Sequence, residues 1–368
     1  MDQSDYSYIL PPELISHSPA EPRDSARLLI YNTKTDEITT DIFEHIDRYI
    51  PADSVIVLND TSVIPARLEL KKLTDGKVKI LFLWNEWRGG NNIKGLPDRK
   101  INIGDILLLV DGTKCVEVVG QKNEEFTFKL LVSEQEFRTI SMKNGLTPLP
   151  PYIHSNMDED EVRERYQTIF ASANSDSYHS VAAPTASLHF TKKVFASLDK
   201  KNISRVPITL HVGRGTFSPL TSEVMKSGVL YAEPIFIPQE SSRVIHLAKK
   251  EGRMIISAGT TATRAVESFA EYIFRNEEST GETRLMISPP YDFKIIDGLI
   301  TNFHLPETSL LMLVDAFIQY KQNLNAGGAS SEIHGGKKTT MKSWKDIYEY
   351  AIAHKFRFYS FGDAMLII

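Results

Sequence analysis

The stretch DGLITNFHLPETSLLML, residues 297–313, decides the fold class. Its first part is an apolar run with β-branched residues, the pattern of a strand covered on both faces, expected over 295–303. Its last part leads into a helix, because Leu310, Leu313, Val314 and Phe317 share one helical face. Pro306 suits the first turn of that helix, and Thr308 or Ser309 can cap it. A strand, a short loop and a helix in this order are the unit of an α/β layer. His304 sits in the loop between Phe303 and Leu305. It is either a buried imidazole filling a gap or a donor or base at the mouth of a site. Ligands of open α/β sheets gather outside the carboxyl ends of the strands, which is where Thr301, Asn302 and His304 fall.

Working outward, the same alternation recurs. MIISA (254–258) reads as a strand and TRAVESFAEYIF (263–274) as a helix with Val266, Phe269, Ala270 and Ile273 on one face. Between them, Gly259 lets a ligand approach the backbone, and Thr260 and Thr261 offer hydroxyls. The helix N-terminus behind them favours an anion. Arg264 can pair with a carboxylate and Glu267 can orient it. Trp344, Ile347, Tyr348 and Ala351 mark a last helix. Near the start, prolines 11, 12, 19 and 22 forbid a long helix. Short strands are expected at 27–31 and 54–58, the second stopping at the turn residues Asn59 and Asp60.

The texture changes between 66 and 137. Short β-rich runs (VKILFLW, DILLLV, CVEVVG, EFTFKLLV) alternate with turn residues, as in a small antiparallel sheet or barrel. LTPLPPYI then marks a boundary, and 158–170 is a helix candidate with an acidic first turn. The expected plan is a mixed α/β main domain built from residues 1–65 and 147–368. A small antiparallel β-barrel domain, 66–146, is inserted in it. AGGASSEIHGG (326–336) reads as a flexible loop.

Composition agrees with two soluble domains: 368 residues, 42% hydrophobic and 24% charged. The single cysteine, Cys115, excludes an internal disulfide and a Cys-rich metal site, and fits a reducing compartment. MDQSDYSYIL is not a signal peptide, and no apolar run is long enough to span a membrane, so a cytoplasmic protein is expected. The net charge of −5 argues against a broadly basic nucleic-acid coat but permits a local basic face.

Three further stretches hold candidate site residues. ITLHVGRGTFSP (208–219) brings His211, Gly213, Gly215 and Thr216. It lacks the third glycine of a dinucleotide fingerprint, so it is a tight turn or a ligand-facing loop. VAAPTASLHFT (181–191) places Pro184, Thr185 and His189 around a short turn. NDTSVIPAR (59–67) gathers Asn59, Asp60, Thr61 and Arg67 at the domain junction. No segment has a zinc-ligand spacing, a Walker loop or a Gly-x-Ser-x-Gly elbow.

Together and in this order, these segments resemble the S-adenosylmethionine:tRNA ribosyltransferase-isomerases of the queuosine pathway. LPPELISHSPAEPRDSARLL, VLNDTSVIPARL, SVAAPTASLHFT, ITLHVGRGTFSPL, AGTTATRAVES, DGLITNFHLPETSLLMLVDAF and FRFYSFGDAMLI carry the resemblance across nearly the whole chain. It implies an α/β domain with an inserted barrel. It also implies transfer and isomerisation of the ribosyl part of S-adenosylmethionine onto 7-aminomethyl-7-deazaguanine at the wobble position of tRNA with a GUN-type anticodon. The product is epoxyqueuosine, and adenine and methionine leave. No metal is implied, and a monomer is expected. In this chemistry His304, His189 and His211 are the candidates for proton transfer. The Gly259–Arg264 loop is the expected cradle for the methionine carboxylate, and Glu233 or Glu267 the partner of its ammonium. The chain departs from the family's pattern in three places. Leu230-Tyr231-Ala232-Glu233 stands for a Met-His-Ser-Glu run, Ser187 for a glycine and Arg214 for a small apolar residue. A relative with another acceptor, or a non-catalytic tRNA- or nucleoside-binding protein, are the competing readings.

Overall fold

The computed structural model describes residues 3–150, 152–153, 157–172, 178–213, 215, 220, 222–326 and 341–368. Nine strands form one mixed sheet in the spatial order Ser279–Leu285, Val229–Ile237, Ser204–Leu210, Val55–Asn59, Ile255–Ala258, Gly298–Asn302, Ala364–Ile367, Arg27–Asn32 and Glu37–Ile42. From Ser204–Leu210 to Gly298–Asn302 the strands run parallel. The central three, Val55–Asn59, Ile255–Ala258 and Gly298–Asn302, are buried along their whole length because both faces are covered. Val55 and Val57 pack with Leu299, Phe317 and Ile347 on one side. Ile56 and Leu58 pack with Phe43, Phe190 and Ile300 on the other.

Local chemistry moves several expected boundaries. The strand expected over 295–303 is Gly298–Asn302, because the backbone N–H groups of Ile295 and Ile296 donate to the Glu267 carboxylate instead of a neighbouring strand. The helix expected at 263–274 starts at Thr260 and breaks at Phe269 into Thr260–Ser268 and Ala270–Phe274. Pro306 is not in a first helical turn. The helix is Ser309–Asn325, capped by the Thr308 hydroxyl, which accepts from the Leu311 N–H. The candidate at 158–170 is Glu159–Arg165, with Asp158 as its cap. Of the loop expected at 326–336, residues 327–336 lie outside the described residues.

The inserted unit is a closed six-stranded barrel in the order Glu125–Leu130, Asn92–Pro97, Lys77–Phe82, Arg67–Lys72, Ile106–Leu108 and Lys114–Lys122. Leu68, Ile80, Val116 and Phe128 fill it, and Trp84 and Phe137 close one end. Cys115 is buried there, and burial pushes its thiol up to about 12, so it is unreactive at neutral pH. The chain returns beside its exit: Arg67 and Leu146 exchange backbone hydrogen bonds of 3.2 and 2.7 Å. Gly145 lies so close to this crossing that a Cβ there would sit 2.1 Å from the Pro65 carbonyl oxygen. Among the described residues no helix is long and apolar enough to cross a membrane.

Candidate active site

The parallel strands end together at Asn59, Leu210, Ala258 and Asn302, and a cleft with about 1060 Å³ of empty space opens beside these ends. Pro184, Thr185, Gly215, Tyr231, Glu233, Gly259, Thr260, Thr261, Arg264, Thr301, Asn302 and His304 line it. Residues scattered over more than a hundred positions of chain meet there because each follows, or lies beside, a strand end.

Gly259 makes the sharp turn out of strand Ile255–Ala258 with φ +100°, a conformation that favours glycine. Its N–H donates to the Ile300 carbonyl at 2.7 Å. Ser187, buried behind the turn, donates its hydroxyl to the Ala258 carbonyl at 3.3 Å. The turn aims the N-terminus of helix Thr260–Ser268 at the cleft. One turn in, the buried Arg264 guanidinium pairs through Nη1 with Glu233 Oε2 and donates from Nε to the Leu285 carbonyl at 2.8 Å. Glu233 Oε1 accepts the Gly213 N–H at 3.1 Å. Arg264 Nη2 is buried and has no partner among the described residues.

Asn302 repeats this arrangement across the cleft. Its Oδ1 accepts the Thr185 hydroxyl at 3.0 Å, while its Nδ2 is buried and unpartnered among the described residues. A buried donor without an acceptor costs about 1–3 kcal/mol. Both donors belong to residues that line the cleft.

His304 lies at the cleft wall, partly buried. Its main chain is held twice. The Tyr8 hydroxyl donates to its carbonyl at 2.5 Å, and its N–H donates to the Tyr348 hydroxyl at 3.1 Å. Nε2 shares a 2.8 Å hydrogen bond with Thr301 Oγ1. Burial lowers the imidazole pKa to about 3, so it is neutral at physiological pH.

Other candidates lie outside the lining. His189 is a core residue stacked near Phe43, with Nδ1 and Nε2 each 3.0 Å from a backbone carbonyl, Ala186 and Gly362. His211 Nδ1 meets Thr61 Oγ1 at 3.0 Å, and the ring faces a separate groove with Trp87 and Arg138. The fully buried Asn59 ties strand ends together, donating to the Leu210 carbonyl and accepting its N–H at 3.0 and 2.9 Å. It also donates to Thr261 Oγ1 at 3.3 Å. Asp60 accepts the Thr209 hydroxyl at 2.6 Å, and burial raises its pKa. Arg67 sits at the barrel junction, donating to the Leu149 carbonyl at 3.4 Å. Gly213 is a backbone donor to Glu233 rather than a lining residue. Thr216 and Arg214 lie outside the described residues.

Glu267 does not reach Arg264. Its buried carboxylate accepts the N–H groups of Lys294, Ile295 and Ile296 at 2.8, 3.0 and 3.1 Å. Glu267→Ala therefore leaves three backbone donors unpaired, two of them, at Ile295 and Ile296, buried. A loss of about 3 kcal/mol or more in denaturant unfolding is expected, with ligand binding in the cleft retained by the folded fraction. A variant as stable as wild type would contradict this placement.

Sequence reading missed the aromatic wall. Tyr152 and Tyr359 line the cleft with ring centroids 4.6 Å apart, and the Tyr152 hydroxyl bonds Ser360 Oγ at 2.9 Å. Tyr359 has φ +72°, unusual for a bulky residue and a mark of local strain. Nothing in FRFYSFGD announces that backbone.

The fold and site define a mixed α/β protein with an inserted barrel, whose cleft at the carboxyl ends of parallel strands gathers Arg264, Asn302 and His304. The chain matches the queuosine biosynthesis protein family over residues 3–329. It is 36% identical to the S-adenosylmethionine:tRNA ribosyltransferase-isomerase of Caldanaerobacter subterraneus subsp. tengcongensis and 38% to that of Carboxydothermus hydrogenoformans, each over the full length of both chains. The crystal structure of S-adenosylmethionine tRNA ribosyltransferase from Thermotoga maritima superposes with a TM-score of 0.51, covering 99% of this chain and 100% of that one at 28% identity. The chain belongs to the S-adenosylmethionine:tRNA ribosyltransferase-isomerase family, as its motifs led one to expect, and is an enzyme of queuosine biosynthesis.

Proposed function

We propose that the cleft binds S-adenosylmethionine with its methionine carboxylate on Arg264 and the first turn of helix Thr260–Ser268, and offers the ribose to a tRNA base. The pair of buried, unpartnered donors, Arg264 Nη2 and Asn302 Nδ2, carries this reading. The reaction is that of the family: the ribosyl part is transferred and isomerised onto 7-aminomethyl-7-deazaguanine in tRNA, giving epoxyqueuosine with release of adenine and methionine. The tRNA has a GUN-type anticodon with the base at its wobble position. The enzyme works as a cytoplasmic monomer and needs no metal.

The residues take their parts by chemistry and place. Glu233 holds Arg264 in position, so that Nη2 remains for the carboxylate. Tyr152 and Tyr359 suit the flat face of adenine. The sulfonium acidifies the adjacent ribose C–H, and a base must take that proton. Of the three candidate histidines, His304 alone lines the cleft. A neutral imidazole can accept a proton but has none to spare for departing adenine. A bound carboxylate nearby raises its proton affinity.

The test is a product assay. Purified protein, S-adenosylmethionine and tRNA carrying the aminomethyl-deazaguanine are incubated, and the digested nucleosides are read by mass spectrometry. Gain of the epoxycyclopentanediol mass with adenine release is expected. Cofactor binding without mass gain would point to another acceptor, and no binding to a non-catalytic protein.

A further inference from the structure

The cleft has a neighbour. A groove with about 740 Å³ of empty space lies between the barrel and the sheet edge, walled by Asn85, Glu86, Arg88 and Lys94 on one side and by Tyr231, Ala232, Pro234, Glu282 and Arg284 on the other. Tyr231 lines both spaces, and the two are separated by the segment 230–233 of strand Val229–Ile237. Regular pairing of that strand with Ser279–Leu285 is interrupted between Val229 and Glu233. An irregularity of this kind lets neighbouring side chains leave the strict up-down alternation. Here the alternation still holds for Glu233 on the cleft side and for Ala232 and Pro234 on the groove side, and Tyr231 reaches both spaces.

The groove's chemistry is that of acceptors at its floor and cations at its rim. Asn85 is 1% exposed, and its Oδ1 is buried without a partner among the described residues. Gly213 packs against the Nδ2 side of the same amide, so closely that a Cβ there would lie 2.4 Å from Nδ2. This leaves the amide little freedom to turn. The N–H of Gly213 is the group held by Glu233, so Asn85 abuts the machinery of the cleft. Glu86 and Glu282 add carboxylates, each already tied to a cation: Lys94 to Glu86 at 3.0 Å and Arg88 to Glu282 at 3.1 Å. Arg284 is exposed and has no ion-pair partner among the described residues.

We propose that this groove is the acceptor-base subsite, and that it reads the N1–H and 2-amino edge of a guanine-type base with Asn85 Oδ1 and the neighbouring carboxylates. The inference rests on the functional reading above and adds the place and chemistry of the second substrate. Adenine and the pyrimidines do not present two adjacent donors on that edge; a guanine-type base does, and acceptors are what the groove floor offers. Tyr231 gives the splayed base a face to stack on, as single-stranded RNA recognition requires. Arg284 is placed to meet a backbone phosphate, a contact that positions without reading sequence. The base's aminomethyl arm then points past Tyr231 toward the ribose in the cleft.

The experiment uses the full chain and two anticodon stem-loop RNAs, one with 7-aminomethyl-7-deazaguanine and one whose base lacks the 2-amino group. Wild type is expected to prefer the first by at least about tenfold in kcat/KM. Asn85→Ala is expected to lose that preference and raise KM for the first RNA, with the Kd for S-adenosylmethionine unchanged. Asn85→Asp keeps an acceptor and is expected to keep the preference, which guards against a loss caused by misfolding. Normal cofactor binding with an undiminished preference in Asn85→Ala overturns this proposal alone. Wild-type protein that does not bind S-adenosylmethionine overturns it together with the reading on which it rests.

Discussion

Arg264→Ala is expected to lose about 3–5 kcal/mol of folding stability and about a hundredfold or more in affinity for S-adenosylmethionine. The stability loss arises because Glu233 is left as a buried charge whose remaining partner among the described residues is the Gly213 N–H. The affinity loss arises because Nη2 is the donor held ready for the methionine carboxylate. A double variant, Arg264→Met with Glu233→Leu, separates the two effects. Removing both charges together restores much of the stability, since the pair's mutual attraction is offset by its desolvation. It does not restore affinity. Decarboxylated S-adenosylmethionine sharpens the test: it should bind wild type far more weakly than the parent compound, and the difference should shrink in Arg264→Ala to what the helix N-terminus alone supplies. Equal binding of both compounds to wild type would remove Arg264 from the carboxylate role.

His304→Asn is expected to lower kcat by about 10²- to 10⁴-fold, the usual worth of a positioned proton-transfer group, while the cofactor Kd stays near wild type. Near-normal turnover would take His304 out of the mechanism. The same residue has a signature in stability. Its folded pKa, about 3, lies below its ordinary value of 6.5. Between these values the unfolded chain binds more protons than the native state, so stability rises with pH across that window and falls as pH drops through it. Unfolding in denaturant at pH 4 and pH 7 should show a smaller difference for His304→Asn than for wild type. Because other buried groups titrate too, the comparison between the two proteins isolates His304. An unchanged difference would mean that His304 is not desolvated in the folded protein.

The fold was legible because its signals are local. Apolar runs with few polar breaks become central strands, as at Val55–Asn59 and Ile255–Ala258, and the shift to short alternating runs marks the barrel. The strand-end loops were legible for the same reason, so Gly259, Thr260, Arg264, Asn302 and His304 could be named from sequence and all line one cleft. What sequence does not contain is direction in space. Glu267 stands one helical turn from Arg264 by number, yet its carboxylate turns to the 294–296 backbone. His189 belongs to a polar-looking turn, but Phe43 and the Gly362 carbonyl enclose it from distant parts of the chain. Tyr152 and Tyr359 come together from loops about two hundred positions apart, and nothing in either segment names the other. Asn85 is the clearest case: a turn residue by local rule, it gains meaning only when the barrel meets the sheet edge.

The most direct test of the central claim is a crystal structure of the protein with S-adenosylmethionine bound. The methionine carboxylate should lie within hydrogen-bond distance, about 3 Å, of Arg264 Nη2 and the first backbone N–H groups of helix Thr260–Ser268, with adenine against Tyr152 and Tyr359. A cofactor bound elsewhere, or bound in the cleft with its carboxylate turned away from Arg264, would contradict the site as it is assigned here.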